Sequence, residues 1–148
     1  MAALINLDAF QLRISEARDQ GESWPLILAE DVLLLADQWP VIRPTILNKP
    51  KLDKYLLPLV GRGWTHARFR RMHLIVERLG ESCRRTWGWQ AAQWACNTLS
   101  DTELADIQKE YPAYLRANGG RSLSIDQIQR VVHKYRRKQL LSRLGPIT

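Results

Sequence analysis

Arginine dominates the residues of this chain that carry usable chemistry. Residues 61–85 hold seven arginines and no lysine, against only Glu77 and Glu81. Arg68, Arg70, Arg71 and Arg78 fall in "ARFRRMHLIVERL", where Phe69, Met72, Ile75, Val76 and Leu79 recur at offsets of 0, 3, 6, 7 and 10. At about 100° per residue those apolar positions define one buried helix face. Arg71 and Arg78, seven residues apart, then point outward together, about 10.5 Å from each other along the axis. Arg70 flanks them, Arg62 precedes the helix, and Arg85 extends the row if the helix runs through Gly80. A guanidinium offers two parallel donors that match phosphate oxygens, so such a row suits successive phosphates of a nucleic-acid backbone.

A second cationic run lies near the C-terminus. Arg130, Lys134 and Arg137 fall at offsets of 0, 4 and 7, with Arg136 and Lys138 beside them, five cations in the nine residues 130–138. Compensating a helix macrodipole takes one or two charges. This run exceeds that, and the spacing predicts a second backbone contact.

Charge is unevenly distributed along the chain. The net +7 resolves into −2 over residues 1–60, +5 over 61–85, −2 over 86–120 and +6 over 121–148. Two concentrated basic segments make patches, and patches attract polyanions. Residues that support catalysis or metal binding are missing from the sequence pattern. His66, His73 and His133 lack ligand spacing, and no serine or cysteine sits in a nucleophile signature. The expectation is a protein that is not an enzyme, with no cofactor and no metal. Cys83 and Cys96 read as reduced, structural thiols. No apolar run is long enough to span a bilayer, and "MAALINLDAF" lacks the features of an export signal, so a cytoplasmic location without membrane contact is expected.

The elements that position the basic residues read as helices throughout. Predicted helices cover Leu4–Arg18, a central one from Ser23-Trp24-Pro25 to Trp39, a short one over Lys51–Leu57 disturbed by Pro58, and the basic helix capped by Thr65. Trp87, Ala91 and Trp94 mark the next stripe. Ser100 with Glu103, and Ser124 with Gln127, spell capping boxes that open the last two helices. The fold expected is all-α, an irregular bundle of six or seven helices. It forms a single domain over residues 1–148, with a proline-rich linker at 40–50 and a basic C-terminal helix at 125–141. Of six tryptophans, Trp24, Trp39, Trp87 and Trp94 lie in apolar stripes and are expected in the core. Trp64 follows Gly61-Arg62-Gly63 on a loop and is the candidate for base stacking. Trp94→Ala should therefore damage the fold more than Trp64→Ala. Reversing Arg71 and Arg78 to glutamate should abolish binding without unfolding, with Arg13 and Arg18 as the matched control pair.

The segment "ARFRRMHLIVERLGESCRR", with "WQAAQWACNTL" and "IQKEYPAYL" after it, resembles the small-subunit family of CRISPR interference complexes. The matching positions are Arg68, Phe69, Arg70 and Arg71, then Trp94, then Tyr111. The resemblance covers less than half of the chain. It departs from the family in the proline-rich linker and the added basic C-terminal helix. It implies an antiviral-defence subunit that binds guide RNA and a displaced DNA strand along a charged groove, without catalysis.

The reading is a non-catalytic protein that grips RNA or single-stranded DNA by its phosphates, inside a larger bacterial or phage nucleoprotein complex. Its candidate contacts are Arg62, Trp64, Arg68, Arg70, Arg71, Arg78, Arg85, Arg130, Lys134, Arg136, Arg137 and Lys138. The alternatives are an adaptor or inhibitor docking on an acidic protein, and a helical transcription or replication regulator. The last lacks an obvious short glycine turn between two helices.

Overall fold

The structure, a computed structural model, describes residues 3–43 and 51–145. Among them are eight α-helices and no strand: α1 (Leu7–Arg18), α2 (Trp24–Ile42), α3 (Leu52–Val60), α4 (His66–Leu79), α5 (Cys83–Thr86), α6 (Trp89–Thr98), α7 (Asp101–Ala117) and α8 (Ile125–Leu144). A 3-10 turn, Gly21–Ser23, joins α1 to α2. The all-α class is as the periodicity predicts. The count exceeds six or seven because Gly80, at φ +100°, ends α4 and the chain restarts as the single turn of α5. An L side chain strains at that φ, so the break is set by the glycine.

Local signals translate directly into caps. The Thr65 hydroxyl accepts from the Arg68 amide. Ser100 with Glu103 and Ser124 with Gln127 form complete capping boxes at the starts of α7 and α8. Each supplies acceptors for amides that the first helical turn leaves unpaired. Prolines behave otherwise. Pro40 and Pro58 lie inside α2 and α3 instead of ending them. Both prolines are exposed, and each costs its helix one backbone hydrogen bond. The first residues of the expected linker, 40–42, are therefore helical, and the rest of it, from Pro44 to Pro50, lies outside the described residues.

Helix α2 is apolar around most of its circumference, burying Leu26, Ile27, Leu28, Ala29, Val32, Leu35 and Trp39. It packs chiefly on α4 and also on α1, α5 and α6. The α4 stripe of Phe69, Met72, Ile75, Val76 and Leu79 is buried in full. Trp87 is fully buried and stacks on Tyr111 with ring centroids 4.3 Å apart and an interplanar angle of 11°. Its Nε1 donates to Gln108 Oε1 (2.8 Å), and Gln108 Nε2 donates to the Leu79 carbonyl (2.7 Å). Gln108, on α7, thereby ties both the end of α4 and Trp87 to its own helix. Ser23 is buried, and its Oγ donates to the Trp87 carbonyl (2.7 Å). No helix among the described residues is long and apolar enough to cross a membrane.

Three tryptophans differ from expectation, for Trp24, like Trp94, is only partly buried against the core. Trp64 belongs to the core at 9% exposure, while Trp94 is only half-buried. The Gly61–Gly63 turn, with positive φ at both glycines, aims Trp64 inward. There its ring meets Trp24, Phe69 and Trp89 at centroid distances of 4.9, 5.2 and 5.0 Å.

Candidate nucleic-acid interface

The basic residues of α4 divide into those that hold the fold and those that face solvent. Arg68 is half-buried, its guanidinium carbon 3.9 Å from the Trp64 ring centroid and 4.7 Å from that of Trp89. Its Nη1 also donates to the Gly63 carbonyl (3.3 Å). A cation held between two indoles and a carbonyl is turned away from outside phosphates. Trp64, with three aromatic neighbours and Arg68 against it, has no open face for a base.

Arg78 is likewise engaged. Its Nη2 donates to the Leu99 carbonyl (2.8 Å) and to Asp101 Oδ1 (3.0 Å), and its Nη1 donates to the Cys96 carbonyl. The guanidinium thus caps the C-terminal carbonyls of α6 and grips the first residue of α7. Its side chain is one-third exposed, leaving it partly reachable. Arg85 does not continue the row, because α4 stops at Leu79, and it stands exposed on α5. Its neighbour Arg84 is taken up by Glu30 (2.7 Å) and Glu81 (3.2 Å).

Arg70 and Arg71 remain on the solvent face of α4, with Arg62 exposed on the preceding turn. None has a carboxylate within 4.0 Å among the described residues. Arg71 lines a groove with Leu74, Arg78, Gln93 and Asn97, between α4 and α6. The proposed control pair is unsuitable. Arg13 pairs with Asp31 (3.1 Å), and Arg18 donates to the Leu59 carbonyl (3.0 Å).

On α8, Ile128 and Val132 are buried while Arg130, Lys134, Arg137 and Lys138 are exposed and without a carboxylate partner among the described residues. Arg136 is different. It makes a forked contact with Glu103, Nε to Oε2 at 2.7 Å and Nη2 to Oε1 at 3.3 Å. That bond, with the Ser100 amide, holds the Glu103 carboxyl down at about 2, and it raises the Arg136 pKa. The helix runs to Leu144, three residues past the expected 141.

Sequence reasoning missed Lys109, Tyr114 and Tyr135, which stand beside the expected Lys134 and Lys138. Along the α7/α8 seam, Lys109, Tyr114, Lys134, Tyr135 and Lys138 line a groove of about 490 Å³. Asp106, Tyr135 and Gln139 also line a second cavity along the seam, of about 690 Å³, which reaches Arg136 and Arg143. The Tyr114 hydroxyl donates to Glu110 (2.7 Å), and the Tyr135 hydroxyl donates to Asp106. Both phenols are pushed up to about 12, Tyr114 first by burial and Tyr135 first by that hydrogen bond. Lys109 sits in a mildly acidic segment, so only the pairing of α7 with α8 brings it to the basic helix.

The arrangement offers donors for oxyanions on α4 and α8 and a polar groove between α7 and α8. His73 contacts Glu77 (3.5 Å) within its own helix, and His133 is exposed. No group of three or more potential metal ligands lies together among the described residues. Comparison of the chain with protein-family models, with curated proteins and with solved structures finds no match in any of the three.

Proposed function

We propose that this chain is a non-catalytic nucleic-acid-binding protein that grips phosphates with little base specificity, as a subunit or accessory factor of a larger nucleoprotein assembly. One observation carries the reading. Arg70, Arg71, Arg130, Lys134, Arg137 and Lys138 are exposed and form no ion pair among the described residues. Charges that compensate nothing within the fold are available to a polyanion outside it. The sharper form, a small subunit of a CRISPR interference complex, is supported by the sequence resemblance alone.

Salt titration tests the reading. With four to six cations on phosphates, log affinity should fall against log salt with a slope of about −3 to −5. Arg70→Glu with Arg71→Glu should weaken binding far more than Lys51→Glu with Lys54→Glu, which changes net charge equally at the start of α3. A slope near zero, or equal losses in the two variants, removes the proposal. A protein-docking role has one specific observation in its favour: Leu140, Leu141 and Leu144 are 57%, 54% and 70% exposed among the cations of α8. Stoichiometric capture of one acidic protein, with no nucleic acid bound at low salt, would favour that role.

A further inference from the structure

We infer that the α7/α8 seam is a groove for single-stranded nucleic acid, with Lys109, Lys134 and Lys138 meeting phosphates and Tyr114 and Tyr135 offering rings to unpaired bases. This rests on the nucleic-acid reading above and adds the strand class and the contact surface.

Charge supports a polyanion despite the carboxylates nearby. Glu103 is held by Arg136, Asp106 accepts from Tyr135, and Glu110 accepts from Tyr114, so every acid of the groove already has a partner. Lys109, Lys134 and Lys138 line the first of the two seam cavities and Arg143 the second, with no ion pair among the described residues. The two carboxylates of the first cavity keep their charge, and its three lysines leave a surplus of one positive charge there.

The rings point to an unpaired strand. Both tyrosines are partly exposed, and their hydroxyl bonds fix them to α7 side chains. A ring anchored in this way loses little freedom when a base stacks on it. Paired bases in a duplex are stacked on one another and cannot reach a side-chain ring, whereas those of a single strand can. Volumes of about 490 and 690 Å³ fall in the range that encloses a nucleotide-sized molecule. From Lys134 to Arg143 the seam runs about 13.5 Å at helical rise, enough for two or three nucleotides of an extended strand.

The test uses the full chain, a fluorescent 12-nucleotide single-stranded DNA and the blunt duplex of the same sequence. Tyr114→Leu with Tyr135→Leu should lower single-strand affinity at least tenfold, as about 1–3 kcal/mol per stacked base implies. Duplex affinity should stay within about twofold. Tyr114→Phe with Tyr135→Phe, which keeps the rings but loses their hydroxyl anchors, should bind the single strand more weakly than wild type and more tightly than the leucine variant. In the unmodified protein, a strand carrying 5-iodouracil should cross-link to Tyr114 or Tyr135, a readout independent of whether the leucine variant folds. Cross-links confined to α4, or unchanged single-strand affinity in a folded leucine variant, overturn the groove while leaving phosphate binding by α4 intact. Wild-type protein that binds neither DNA overturns both readings.

Discussion

The Arg68 guanidinium lies 3.9 Å from the centroid of the Trp64 ring, and that ring is itself packed against three other aromatic side chains. A residue pair with the composition of a nucleic-acid contact is thus part of the aromatic core. Trp64→Ala should cost about 3–5 kcal/mol, the range for deleting a large buried aromatic. Trp94→Ala, at a half-buried position, should cost less. Urea unfolding of the two variants measures the difference, and the reverse order would place Trp64 outside the core.

Arg78→Ala should destabilise the protein by about 1–3 kcal/mol. It removes the donor shared by the Leu99 and Cys96 carbonyls and by Asp101. Arg71→Ala, at an exposed site without a partner, should leave the melting temperature within about 1 °C. Thermal scans of the two single variants separate a structural arginine from a solvent-facing one seven residues away.

The two thiols should differ in reactivity. Cys83 is fully buried, and burial with the nearby Cys96 pushes its pKa up to about 12. Cys96 is only half-buried, its pKa raised mainly by burial and lowered in part by Arg78. At pH 8, iodoacetamide should label Cys96 first and spare Cys83 until the chain unfolds. Peptide mapping of the labelled native protein reads the order directly.

Glu103 gives the fold an acid-side dependence. Its carboxyl is lowered from 4.5 to about 2 by the Arg136 hydrogen bond, then by the Ser100 amide. A depressed carboxylate contributes stability that is full above pH 4.5 and is lost as pH falls towards 2. Glu103→Gln should flatten that part of the stability curve and leave the curve above pH 5 parallel to wild type. Urea midpoints from pH 2 to pH 7 provide the check.

What could be read from the chain was local. Thr65, Ser100 with Glu103, and Ser124 with Gln127 cap helices by contacts three residues long, so spacing alone reveals them. The α4 stripe follows from a period of 3.6 for the same reason. Arg78 could not be read so, because its acceptors at Cys96, Leu99 and Asp101 are delivered by the packing of α6 and α7. Trp64 depends on the positive φ of Gly61 and Gly63, which turns a loop residue inward. The seam residues depend on two helices meeting: Lys109 and Tyr114 acquire a basic environment only when α8 lies beside them.

Helix α8 contains two regimes of stability in one rod. Up to Tyr135 it is anchored by Ile128 and Val132, but every residue from Arg136 to Leu144 is exposed. Those last turns gain almost nothing from burial and depend on intrinsic propensity and the few side-chain bonds there, so their amides open at the free energy of local fraying. A ligand seated along this end would suppress amide exchange there before it altered the rest of the molecule. Part of its binding free energy would go into holding the helix closed, so the measured affinity would understate the contacts made.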